Sequence, residues 1–180
     1  MENSSKSESF EENGSTLSNN DLAFIALCNE YCAAMENAAF TEPSAMIDSL
    51  LHILPRIYIA ATDINSSLIF GEGAYISPTL TEEAYDRLRN TLAAIFGEND
   101  TFLEVFEEDM KYSDTPIAAM ISEGLADLFQ VFYDFLETCR DAPSDLIAEA
   151  LASVKESFSE FWSQTLVNLL RPLNSLKYNS

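Results

Sequence analysis

The sequence predicts an all-α protein, a single bundle of five to six antiparallel helices. Three observations carry that prediction. Apolar residues recur at i, i+3, i+4 and i+7 from Asn19 to about Leu173, the spacing that lines one face of a helix. No segment alternates apolar and polar residues between turn signals, so no sheet is expected. The 180 residues include only 5 Gly and 6 Pro, too few for an α/β enzyme rich in glycine loops.

The first helix is expected from about Asn20 to Ala39, started by Asn19, Asn20 or Asp21 accepting from free backbone N–H groups. Phe24, Leu27, Cys28, Tyr31, Met35 and Ala38 form its apolar stripe. The second runs from Pro43, a residue suited to a first helical turn, to about Ile64. Its interior Pro55 removes a backbone donor and predicts a kink or break. A connection over 65–80 carries the apolar triplet Leu68-Ile69-Phe70, a plug on the bundle or a docking tip. Thr81-Glu82-Glu83 opens a third helix that ends at Phe96, with Gly97 as its C-cap. A short amphipathic piece is expected over Phe102–Met110. Thr115-Pro116 opens a fourth long helix reaching Arg140. The last runs from Pro143-Ser144 to about Leu170, with Phe158, Phe161 and Trp162 on its core face, and Pro172 stops it.

This length suits one domain, which needs no disulfide or metal to hold its core. Residues 1–18, rich in Ser, Asn and Glu, read as a disordered acidic tail, and 19–180 as the bundle domain. Nine Lys+Arg stand against 30 Asp+Glu, a formal net charge of -21. That balance excludes direct binding to nucleic acid, which rests on basic contacts to phosphate. It equally opposes an anionic membrane surface. No window approaches the roughly 18 apolar residues of a membrane span, and the N-terminal stretch lacks the basic and apolar regions of a signal peptide. Three cysteines, an odd number without framework spacing, fit a reducing cytoplasm.

Asp48, His52 and Arg56 are spaced by four in one row on the second helix, opposite its apolar stripe. They could form a small acid/base or anion-holding site, with Tyr31 and Tyr58 adding polar groups near the Pro55 kink. They could equally be a solvated face with intrahelical pairs. On the fourth helix, Glu123, Asp127, Asp134, Glu137 and Asp141 fall opposite the apolar face. They are either the wet side of a bundle helix or a surface for a basic partner.

Several chemistries lack their residues. Cys28 and Cys32 read as small buried apolar residues, with a redox pair as the alternative, because too few Cys and His remain for an ordinary zinc set. A di-iron bundle site needs Glu-x-x-His, but Ser49 stands three before the single His52. Neither a calcium loop, a phosphate-cradling glycine loop nor a nucleophile elbow occurs. No cofactor is predicted.

Two stretches read together, Phe24-Ile-Ala-Leu-Cys-Asn-Glu-Tyr31-Cys32 and Leu50-Leu51-His-Ile-Leu54-Pro55-Arg56-Ile-Tyr58, carry a family resemblance. The chain resembles a family of small bacterial helical proteins known as domain of unknown function 5063. The resemblance covers the first sixty or so residues most clearly, and its motifs are mostly core-forming. It implies a bacterial origin, an all-helical fold and a Leu-Pro-x-x-Tyr kink in the second helix, and it supplies no activity or catalytic residue.

The leading functional expectation is a non-enzymatic cytoplasmic protein that binds a basic protein partner through its acidic surface. A small-ligand binder or enzyme at the Pro55 kink is the alternative, and a nucleic-acid mimic built on rows of carboxylates is a third.

Overall fold

The first helix begins where the sequence supplies its own cap. In the computed structural model, which describes residues 17–64, 76–104 and 117–179, Ser18 and Asp21 form a reciprocal capping box. The Ser18 hydroxyl accepts from the Asp21 N–H, and Asp21 Oδ2 accepts from the Ser18 N–H at 2.9 Å. Ser18 therefore belongs to the folded domain rather than to the expected tail. Helix α1 runs Asn19–Glu36 and is followed by a 3-10 turn, Ala38–Phe40. Phe24, Cys28, Tyr31 and Met35 are buried along it, as their spacing requires.

Helix α2 runs Pro43–Thr62 and continues through Pro55. Of the expected kink or break, the helix shows no break: proline removes one rung of the helical ladder, to the Leu51 carbonyl, yet the buried Leu50, Leu54 and Ile57 hold the flanking turns in place. Helix α3 runs Glu82–Phe96. Thr81 caps it by accepting from the Ala84 N–H, and Gly97 ends it with φ 54°, a region that glycine enters without a Cβ clash.

A two-stranded antiparallel sheet follows, contrary to the expectation of none. Strand β1 is Thr101–Leu103 and β2 is Ala118–Met120, with Phe102 opposite Ala119. Three-residue strands are too short to show a period of two, and Ala-Ala-Met favours helix by propensity. The expected helical piece from Phe102 thus starts as strand, while 105–116, with the Thr115-Pro116 start, and the Leu68–Phe70 triplet lie outside the described residues.

Helix α4 runs Ile121–Cys139, five residues later than the sequence signal. Asp100, in the turn before β1, sets that start: its Oδ1 accepts from the Ser122 N–H and its Oδ2 from the Ser122 hydroxyl, both at 2.7 Å. Helix α5 (Ser144–Ser157) passes through a π-helical turn, Phe158–Trp162, into α6 (Ser163–Tyr178). Pro172 does not stop α6: buried Leu169 and Leu173 flank it, and beyond it Lys177 pairs with Asp48 of α2 at 2.7 Å.

Helix α1 packs on α2 and α4, α4 on α3, α5 and α6, and α2 on α6. Their shared core centres on Trp162. Its ring meets Phe158 at 4.6 Å, Phe132 at 5.2 Å and Phe24 at 6.3 Å, with the first two edge-on as ring quadrupoles prefer. The indole N–H donates to the Val154 carbonyl, so this buried polar group is satisfied.

Candidate functional site

The five residues expected around the Pro55 turn are not brought together. Tyr31 is fully buried, and its hydroxyl donates to the Leu125 carbonyl at 2.8 Å. Arg56 reaches back to Glu30 of α1 at 3.2 Å, with both side chains about half exposed. His52 is exposed, and its Nδ1 lies 2.7 Å from the Asp48 backbone oxygen, not from the carboxylate. That carboxylate is held by Lys177. The Tyr58 ring lies edge-on to Phe158 at 5.2 Å. A shallow depression of about 240 Å³ adjoins Arg56, lined also by Asn20, Ile59 and Asp63, and His52 takes no part in it. An acid/base dyad needs hydrogen-bonded side chains, and here they point to separate partners.

The acidic row on α4 is likewise not one solvated face. Asp134 is buried: its Oδ1 accepts from the Thr79 N–H, the Thr79 hydroxyl and the Leu80 N–H, each at 2.8 Å. It anchors the segment that leads into α3, a structural task. Asp127 accepts from the Tyr85 hydroxyl of α3 at 2.6 Å, and burial with this bond pushes the Tyr85 phenol well up. Glu137 pairs with Arg140, and Asp141 sits in the tight turn before α5 with φ 55°. Glu123 alone of the five points to solvent from the helix body.

What the structure does assemble is a groove along α4, facing the elbow between α5 and α6. Its upper part, about 380 Å³, lies among Phe102, Met120, Glu123, Gly124, Asp127 and Glu160. Its lower part, about 550 Å³, lies among Gln130, Val131, Asp134, Val154 and Glu156. Asp127 and Phe161 line both parts. Neither part has a Lys, Arg or His among its described lining residues, whereas Glu104, Glu123, Asp127, Asp134, Glu156 and Glu160 all contribute.

Phe161 departs from its expected place. The helical spacing puts it in the core beside Phe158 and Trp162, yet it is 54 % exposed. The π-helical turn is the cause. In an α-helix, residues three and four apart share a face, so Phe158, Phe161 and Trp162 would all point inward. The wider turn keeps Phe158 and Trp162 inside and rotates Phe161 out over the groove.

The spacing of buried residues contained the signal. Val154, Phe158, Trp162 and Leu166 are three successive steps of four. Each such step overshoots a full α-turn by about 40°, and the drift accumulates unless a turn widens. On α4 the buried Leu125, Leu128, Phe132 and Phe135 alternate threes and fours, and that helix stays regular.

The thiols are unsuited to nucleophilic chemistry. Burial pushes Cys32 up to about 12 and Cys139 up to about 11, and raises Cys28 as well, so all three remain protonated near neutral pH. Among the described residues no group of three or more His, Cys, Asp or Glu is arranged to hold a metal ion. Among those residues, too, no helix is long and apolar enough to cross a membrane.

The fold is shared with a solved structure, that of protein BF1032 from Bacteroides fragilis. The two superpose with a TM-score of 0.77 at 31% sequence identity, covering 90% of this chain and 94% of that one. No curated protein matches the chain. A family model does match, over residues 15–179, nearly the whole length and well beyond the two stretches that carried the resemblance. The chain belongs to the family described as Domain of unknown function (DUF5063).

Proposed function

We propose that this is a binding protein whose α4 groove takes a basic segment of a partner protein in the cytoplasm. The observation that carries the reading is the lining: the exposed Glu123, Glu156 and Glu160, with no Lys, Arg or His among the described lining residues, around an apolar floor and an exposed phenylalanine. Carboxylates set side by side repel one another, and a cationic ligand relieves that repulsion while the wall shields it from water. The exposed Phe161 ring offers a face to an arginine or lysine and an apolar surface to a neighbouring side chain. Rigid helices supply both walls, so little ordering is needed on binding.

The test is fluorescence anisotropy of a labelled peptide of alternating Lys and Leu titrated with the full chain. Binding is expected to weaken between about 50 and about 300 mM NaCl as screening grows. The double charge reversal Glu123→Lys with Glu160→Lys should raise Kd about tenfold or more. A charge-matched control on the α1–α2 corner, Glu36→Lys with Glu42→Lys, should change it less than about threefold. Equal losses in both variants would show that net charge alone attracts the peptide and would overturn the groove.

A further inference from the structure

We propose that the outer edge of β1 is a self-association surface, on which a second copy of this chain pairs strand to strand about a two-fold axis. This goes beyond the groove reading and rests on a different face. The Glu104 N–H donates to the Ile117 carbonyl at 2.8 Å, which fixes the alternation of the ladder. Phe102 therefore turns its backbone groups toward β2, while Thr101 and Leu103 turn theirs outward. Among the described residues no hydrogen bond reaches Thr101 or Leu103 from outside the β1–β2 ladder, and Leu103 is 62 % exposed. A free edge of this kind is a template for another strand.

The flanking charges choose the occupant. A cleft of about 520 Å³ separates β1 from α6, lined by Phe102, Leu103, Glu98, Arg171, Pro172 and Leu176. Asn168 of α6 donates to Glu104, while the later Arg171, Pro172, Ser175 and Leu176 line the cleft with the earlier Glu98, Thr101 and Leu103, so α6 runs opposite to β1. Arg171, about one helical turn past Asn168, lies toward the Leu103 end, and Glu98 lies beyond the Thr101 end. Neither Arg171 nor Glu98 has an ion-pair partner among the described residues.

Antiparallel pairing centred on Phe102 sets Thr101 against the second copy's Leu103 and Leu103 against its Thr101. Each of these two pairs is closed by two hydrogen bonds, so every outward backbone group of β1 is used. The same operation carries each Arg171 toward the second copy's Glu98. The edge is thus self-complementary in both backbone and charge, as an isologous interface must be.

The test is sedimentation equilibrium of the full chain up to about 200 µM in about 150 mM NaCl, where the Debye length of about 8 Å screens the overall negative charge. A monomer–dimer equilibrium is expected. Leu103→Pro removes an outward N–H and leaves the β1–β2 ladder intact, so it should give a monomer with unchanged helical circular dichroism. Arg171→Glu and Glu98→Arg should each weaken dimerisation about tenfold or more, and the double variant should restore it to within about threefold. A wild-type chain that stays monomeric overturns the proposal. So does a dimer indifferent to Leu103→Pro, or a double variant that fails to restore association.

Discussion

Asp100 holds Ser122 with both carboxylate oxygens, one on the backbone N–H and one on the hydroxyl, each at 2.7 Å. The turn after α3 thereby caps α4 across a sequence separation of 22. Both residues are buried. Asp100→Ala leaves the N–H and the hydroxyl without partners in a place water does not reach, so a loss of about 2 kcal/mol is expected. Ser122→Ala removes only the hydroxyl and should cost less. Urea denaturation of both variants checks the order, and equal stability of Asp100→Ala and wild type would refute the capping role.

A parallel contrast separates two acids that look alike in sequence. Asp134 accepts three hydrogen bonds from Thr79 and Leu80, whereas Glu137 makes a surface pair with Arg140. Asp134→Ala should destabilise by about 2–3 kcal/mol, because buried donors lose a charged acceptor. Glu137→Ala should change stability by less than about 0.5 kcal/mol, as exposed pairs contribute little. Thermal unfolding of the two variants under one buffer settles which acids on α4 are structural.

Asp100 and Asp134 also mark the limit of what the sequence alone shows. The helices α1, α2 and α3 and the body of α4 follow from periodicity and from local caps such as Thr81 and Gly97, because those signals lie within a few residues of the structure they cause. Asp100 and Asp134 act on backbone 22 and 54 positions away, and no local pattern announces such a partner. An acid opposite the apolar stripe therefore reads as solvated whether or not another segment folds over it. The same holds for Asp48, whose spacing along one helix suggests His52 as partner and which pairs instead with Lys177 from the far end of the chain.

The buried thiols predict a loss of stability at alkaline pH. Their ordinary value is 9.0, and in the folded chain Cys32 lies up at about 12 and Cys139 at about 11. A raised folded value means that the unfolded state releases its proton first, so the protection is complete below about pH 9 and is lost as pH rises toward the folded values. Within that window each fully buried thiol contributes a slope of about 1.4 kcal/mol per pH unit, and the part-exposed Cys139 less. The midpoint of urea unfolding should fall steadily from pH 9 to pH 11, and less steeply in Cys32→Ser. A flat profile over that range would contradict the burial of these groups. The same burial should make native thiols slow to react with an aromatic disulfide reagent at pH 8, with rapid reaction only after unfolding.

The widened turn at Phe158–Trp162 gives the most specific prediction. It exists because the buried stripe of α5–α6 carries one residue more than a regular helix accommodates, three steps of four from Val154 to Leu166. Deleting Ser159, an exposed residue within the turn, changes the Val154–Phe158–Trp162–Leu166–Leu169 spacing from four, four, four, three to four, three, four, three. That series is the one a continuous α-helix buries on a single face. The deletion variant should therefore keep its helical circular dichroism and unfold cooperatively, with Trp162 still buried and its emission still blue-shifted. Phe161 then follows Phe158 by two positions, about 200° round a regular helix, and stays on the outer face. Peptide binding in the anisotropy titration should therefore be kept together with stability, and the single tryptophan provides the readout of core packing in the same sample. If the deletion unfolds the protein, the extra residue is required by the packing of α6 and the account of the turn as an accommodated insertion is wrong.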